Sequence, residues 1–268
     1  MQQVDLSSES ESAGRFEGSY PRRLFRRLRE LNFTNEATLF GAGLLVSLLP
    51  FMLVLSVLAS ERVEDDLALH LGLTRPAARI VSELFRRKAS SIGWSTALGA
   101  LVVALGTVAV VSSLQEIYEK AFGLEHRGLR DAWRFVIWIV AMVGFMAFGG
   151  IVGRPIRNLP GGLVAVEVAE FAVVVPFIWW TMHFLLAGRL AWRRLLPSAV
   201  ATGALAAVFG VGSKLYFSSS IVTDAHLYGS IGAVFSIMTW LIGIGAVIII
   251  GAVAGPVWQE GRAVPTAK

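Results

Sequence analysis

The chain is broken into runs of about 20 residues that carry almost no charge, and nothing else in it limits the possible folds as strongly. A soluble helix or strand interleaves polar positions at its own period; these runs do not. At a rise of about 1.5 Å per residue each is long enough to cross the roughly 30 Å of hydrocarbon in a bilayer. Six such spans can be read: Glu36 to Ala59, Ile92 to Gln115, Trp133 to Val152, Leu163 to Leu186, Leu196 to Leu215 and Ile231 to Val253. Composition agrees, with 55% apolar and 16% charged residues, against about 25% charged in soluble domains. The expected class is all-α: a polytopic membrane helical bundle of about six transmembrane helices with amphipathic interfacial helices beside them.

The segments around the spans divide the chain into three parts. Residues 1–34 form a tail with a basic amphipathic helix, 35–258 the transmembrane domain, and 259–268 a C-terminal tail. The opening Ser/Glu-rich stretch has no basic region ahead of a short apolar one, so no cleavable signal peptide is expected. Phe16, Tyr20, Leu24, Leu28 and Leu31 then recur at helical spacing, with Arg22, Arg23, Arg26, Arg27 and Arg29 between them. That pattern suits a helix lying on anionic lipid, or one packed on the protein itself. Ile80, Val81, Leu84 and Phe85, in the segment 60–91 between spans one and two, suggest a second interfacial helix. Trp94, Trp133, Trp138, Trp192, Trp240 and Trp258 fall mostly near span ends, as an aromatic belt would. Lys and Arg are more numerous on the side that holds both termini, which places both termini in the cytoplasm. The excess of arginine over lysine, with much Ala, Gly and Val, hints at a GC-rich bacterial genome.

Few residues promise chemistry. Cysteine is absent, and the four histidines, His70, His126, His183 and His226, share no ligand spacing. No metal site, cofactor or catalytic set is expected, and no nucleotide-binding or hydrolase motif occurs. Charges inside spans are costly and so carry more information. Glu167 and Glu170 lie one turn apart in span four, ahead of Pro176, as a cation or proton site or as hydrated carboxylates near the headgroups. Lys214 closes span five and opens a hydroxyl- and glycine-rich stretch that reads as a loop before span six, re-entrant or at the surface. Lys214, Asp224, His226 and Tyr228 would line the cavity of a re-entrant loop. Gly41 and Gly43, Gly210 and Gly212, and Gly149, Gly150 and Gly153 suit close helix packing. Gln115, Glu116, Glu119 and Lys120 mark where span two leaves the bilayer, with Glu116 and Lys120 paired at i,i+4.

Three blocks carry a resemblance. TNEATLFGAGLLVSLLPFMLVL, with Ser47, Leu48, Leu49 and Pro50, resembles the first span of the YihY/BrkB family of membrane proteins. SSLQEIYEKAFG at 112–123 is similar to that family's segment after span two. WRRLLPSAVATGALAAVFGVGSKLYFSSS, followed by LYGSIGAVFSIMTWLIGIGAVIIIGA, is similar to its last two spans. The likeness covers roughly residues 25–255. The chain departs from the pattern at Val253, where a Glu usually follows Gly-Ala, at Ser198, where Gly is common, and over Tyr118 to Gly123, where an Asn-x-x-Trp-Gly is usual. The resemblance implies a role in envelope integrity with transport of a lipid or another amphipathic molecule. An old ribonuclease label for the family finds no support in these residues, because neither an RNA-binding surface nor a set for phosphodiester cleavage is present. Two readings follow: a lipid-handling transporter, with membrane lipids as its partners, or a non-transporting scaffold that binds envelope proteins or further copies of itself. Neither involves nucleic acid.

Overall fold

The computed structural model describes residues 20–58, 97–128, 132–157 and 162–263, without the side chains of 48–58, 97–105, 146–157, 162–170 and a few single positions. The elements among the described residues are all helices. Helix α1 is Tyr20–Glu30, α2 Phe33–Leu58, α3 Ala97–Ala121, α4 Ala132–Arg157, α5 Gly162–Leu185 and α6 Trp192–Gly212. A π-helical turn, Ser213–Phe217, joins α6 to α7, Ser218–Ala263. Gly229 (φ 64°, ψ −147°) breaks α7 into a short arm and a long arm.

The connections follow from local chemistry. Asn32 takes a left-handed conformation (φ 50°) between α1 and α2, which asparagine tolerates better than most residues. Its carbonyl accepts from the Asn35 and Glu36 amides at 2.9 and 3.1 Å. Helix α3 ends at Gly123 (φ 64°). There the Leu124 amide reaches the Glu119 carbonyl at 2.8 Å and the Gly123 amide that of Lys120 at 3.2 Å, the paired bonds of a Schellman stop. Helix α5 stops in the same way, through Ala187 and Gly188 onto Phe184 and His183.

The long helices pack antiparallel to their neighbours. Glu36 meets Lys120 and Ser47 meets the Gly106 carbonyl, which sets α2 against α3. Ala37 faces Gly245, and Gly41 would place a Cβ 2.8 Å from the Ile242 nitrogen, which sets α2 against α7. Trp138 donates to Thr181 across α4 and α5 at 3.1 Å. Helices α6 and α7 form a long hairpin: Ser198 donates to the Ala252 carbonyl at 2.9 Å, and Trp240 donates to Ser213 at 3.0 Å near the other end. Gly251 and Gly255 let this pair approach closely, since a Cβ on either would collide with Thr202 or Ser198. Such contacts supply the dispersion and hydrogen bonding that hold helices together where lipid competes for apolar surface. A core of Leu114, Ile117, Phe135, Met182, Leu186, Leu195 and Val253 fills the end that carries α1. A smaller cluster of Ile221, Ile237, Trp240 and Leu241 fills the end towards Gly229.

The expected helical class holds. Among the described residues two helices are by themselves long and apolar enough to cross a membrane, Trp192–Asp224 and Ile231–Arg262. Shorter apolar helices run over Trp133–Phe145 and Phe171–Leu185. The expected count of six spans is therefore not reached among them, because much of α2 to α5 has undescribed side chains. The stretch after Lys214 is not a loop. It continues as helix to Gly229, since Ser219 and Ser220 return their hydroxyls to the Tyr216 carbonyl, so the polar run is satisfied within the helix. The aromatic belt also needs correction. Trp133, Trp192 and Trp258 are exposed, but Trp138 and Trp240 are buried and donate to hydroxyls inside the bundle. Gly41 packs closely as expected, whereas Gly43, Gly210 and Gly212 face open space. Trp94 and the interfacial helix in 60–91 lie outside the described residues, as do the surroundings of Gly149, Gly150 and Gly153. The apolar stripe of α1 packs on the protein through Tyr20, Leu24, Leu28 and Leu31.

Candidate functional site

The hairpin of α6 and α7 brings polar groups to the Gly229 end of the bundle. Gly229 needs its left-handed φ, because an L side chain there is strained, and the chain reverses so sharply that Gly232 packs against the Asp224 carbonyl. That reversal carries Ser236 to Asp224, whose carboxylate oxygen accepts the serine hydroxyl. Below it Ser213 is fully buried in the π-turn and takes the Trp240 indole. The π-turn widens the helix by one residue, a device found at ligand sites in other proteins. Around these polar contacts the outward side chains are apolar: Leu215, Tyr216, Leu227, Tyr228, Ile231 and Phe235 are all exposed.

Of the residues expected here whose side chains are described, Asp224 is turned into the hairpin. Lys214 points outwards from the π-turn, and Tyr228 is 70% exposed. Helix rather than loop connects Lys214, Asp224 and Tyr228. The His226 side chain lies outside the described residues. Glu167 and Glu170 lie in the first half of α5, and their side chains likewise fall outside the described residues.

The opposite end holds a polar cluster of which sequence reasoning singled out Gln115 and Glu119 only as the end of span two. Glu119 is 1% exposed. Its Oε1 accepts from Gln115 Nε2 at 3.0 Å and from the Arg189 guanidinium. Its Oε2 lies 2.9 Å from His126 Nδ1 and 3.4 Å from the Arg127 amide. Arg189 also donates to the Glu125 and Leu186 carbonyls at 2.9 and 3.1 Å, so it staples the α5–α6 turn to the end of α3. Burial pushes the Glu119 carboxyl up. Hydrogen bonds from Gln115, Arg189 and His126, with the charge of Arg189, outweigh it and hold the group below its ordinary range. The position is one turn past the expected end of span two. A carboxylate held ionised in this way is a fixed charge, poorly suited to carry protons near neutral pH. The expected Glu116–Lys120 pair is present at 2.8 Å, and Lys120 also reaches Glu36 at 2.7 Å. In the sequence Glu116 and Glu119 carry equal weight. The distinguishing signal is that Glu119 falls one turn after Gln115 on the face that also carries Val111 and Leu114, all buried.

Comparison with known proteins adds one match. A family model described as Virulence factor BrkB matches residues 31–267. No curated protein and no solved structure matches.

Proposed function

This chain belongs to the BrkB virulence factor family, and on that premise we propose that it is a six-span protein of the bacterial cytoplasmic membrane that supports the envelope by moving a lipid or another amphipathic molecule. Both ends of the described chain meet at one end of the bundle, where Arg27 bonds Glu260. Ends that meet on one side suit an even number of crossings, and the antiparallel order of α2 to α7 is compatible with the six proposed.

The observation that carries the transport reading is the Gly229 end of the hairpin. The helix Trp192–Asp224 has 33 residues, about 50 Å at 1.5 Å per residue, against roughly 30 Å of hydrocarbon. Its far end therefore stands at or beyond the opposite headgroups. There the Asp224–Ser236 pair lies beside exposed Leu227, Tyr228 and Phe235. A molecule with a polar head and an apolar body needs both kinds of surface together. Glu167 and Glu170 are the candidates for ion coupling, since a carboxylate inside a span is costly unless it has a use. No catalytic step is assigned to any residue.

The test is reconstitution in liposomes carrying fluorescent lipids, with dithionite added outside. Protein-dependent bleaching of inner-leaflet lipid is expected, slowed by Asp224→Asn with Ser236→Ala. Bleaching equal to that of empty liposomes across several lipid classes would remove transport. If transport is retained with unchanged pH dependence in Glu167→Gln with Glu170→Gln, the coupling role falls. The scaffold reading draws on α4, where Gly144 is exposed with open space beside it, near outward Val136 and Val140. It predicts bleaching no greater than that of empty liposomes, and an envelope phenotype that Gly144→Leu abolishes.

A further inference from the structure

Helix α1 divides its side chains between two opposite faces. Tyr20, Leu24, Leu28 and Leu31 face the core, and the Tyr20 hydroxyl donates to the Ala254 carbonyl at 3.1 Å. Arg23 and Arg27 turn the same way: the Arg23 guanidinium lies against Gly261, and Arg27 donates to Glu260 at 2.8 Å. The other face is built from Arg22, Phe25, Arg26 and Arg29, spaced i, i+3, i+4 and i+7, and all four are exposed. Phe25, in the middle of the three arginines, is 69% exposed. A helix already seated on the protein by its leucines has no packing use for an outward phenylalanine, and water is a poor surrounding for it.

The level of α1 says what that face meets. At the same end of the bundle Trp133, Trp192 and Trp258 are exposed. Arg134 lies 5.1 Å from the Trp133 ring and Arg262 4.9 Å from that of Trp258. Tyr20 touches Trp258 edge-on. Exposed tryptophans backed by arginines at the ends of apolar helices mark the headgroup layer, and α1 is bonded to that layer through Tyr20 and Arg27.

We infer that the Arg22–Phe25–Arg26–Arg29 face docks on the anionic surface of the bilayer that holds the bundle. The guanidinium groups take lipid phosphates, and Phe25 wedges between headgroups. The leucine stripe thus belongs to the protein and the outer arginine stripe to the lipid. Arg23 and Arg27, which sequence alone assigns to the lipid with the others, instead tie α1 to the C-terminal end of α7. Docking of this face does not depend on transport.

The chain has no cysteine, so a single label can be placed on the full-length protein in vesicles. Phe25→Cys carrying bimane, whose ring stands in for the benzyl group, is read by quenching from lipid spin-labelled near the headgroup. Quenching is expected in phosphatidylglycerol-containing vesicles, weaker in pure phosphatidylcholine and weaker again at high salt. Replacing Arg22, Arg26 and Arg29 by Gln should lower the partition of the face on the order of a hundredfold, since each arginine at an anionic surface is worth about fivefold. The same triple variant should melt like the parent in phosphatidylcholine, whereas Arg27→Gln should melt earlier in both lipids. Equal quenching in the two vesicle types, or quenching untouched by the triple change, overturns the inference. Early melting of the triple variant in phosphatidylcholine overturns it too, because the three arginines would then be holding the protein. Efficient cross-linking of two chains through the cysteine introduced at position 25 would assign the face to a second copy and also overturn it.

Discussion

Glu119 shows how burial separates two carboxylates that look alike in the sequence. Glu116 and Lys120 are partly exposed, and an exposed pair contributes at most about 1 kcal/mol. Glu119 faces the interior instead, and its neighbours cannot turn to water if it is lost. Glu119→Gln should therefore lower the unfolding free energy in detergent by about 3 kcal/mol, as expected when one partner of a buried pair is removed. Lys120→Ala should cost less than a third of that. The acid dependence has a definite sign. The folded Glu119 carboxyl is held below the ordinary 4.5, so its contribution is complete above that value and is lost as pH falls through the folded one. The parent should lose stability progressively below about pH 4.5, by a step that Glu119→Gln lacks; a urea series from about pH 3 to 7 reads both. In the sequence only the face that Glu119 shares with Val111, Leu114 and Gln115 sets it apart from Glu116; its partner Arg189, 70 positions away, is not legible there.

At the scale of elements, the hairpin of α6 and α7 depends on two local features. The first is Gly229, whose conformation an alanine adopts only with strain; Gly229→Ala should cost about 1–3 kcal/mol. The second is the close approach at Ser198 and Gly255. A Cβ at Gly255 would lie 2.9 Å from the Ser198 amide nitrogen and nearer still to its hydroxyl. Gly255→Ala should cost about 1–3 kcal/mol by overpacking, and Ser198→Gly in the same chain should recover part of it. Chemical unfolding of the two single variants and the double variant measures that coupling. The helices themselves were legible, because charge-free runs of this length have few alternatives. The segment after Lys214 was not. Serine, threonine and glycine favour turns by propensity, yet here the serines bond back to Tyr216 and the helix continues to Gly229. Local composition could not show that the long arm of α7, beyond Gly229, would offer the segment a partner.

For the whole molecule, the helical membrane class and the BrkB family were plain from the sequence, since both rest on patterns spread over the chain. Faces were harder to assign. The leucine and arginine stripes of α1 were visible, but which one meets protein was decided by Ala254 and Glu260, more than 230 residues further on. The same limit applied to tryptophans: position near the start of span three does not separate Trp133, which is exposed, from Trp138, which is buried. The candidate site was legible as a list of polar residues, of which, among those with described side chains, Asp224 is turned inwards while Lys214 and Tyr228 are exposed. In the proposed topology both described ends lie in the cytoplasm and the Gly229 turn lies across the membrane. The single variants Tyr228→Cys and Gln259→Cys, in a chain that has no cysteine of its own, test it in intact cells with a membrane-impermeant maleimide. The thiol at position 228 should label from outside once the outer envelope is opened, and the thiol at position 259 only after the cytoplasmic membrane is breached. Labelling of both from the same side would contradict the crossing of the hairpin, and with it the reading of the bundle as a six-span transporter.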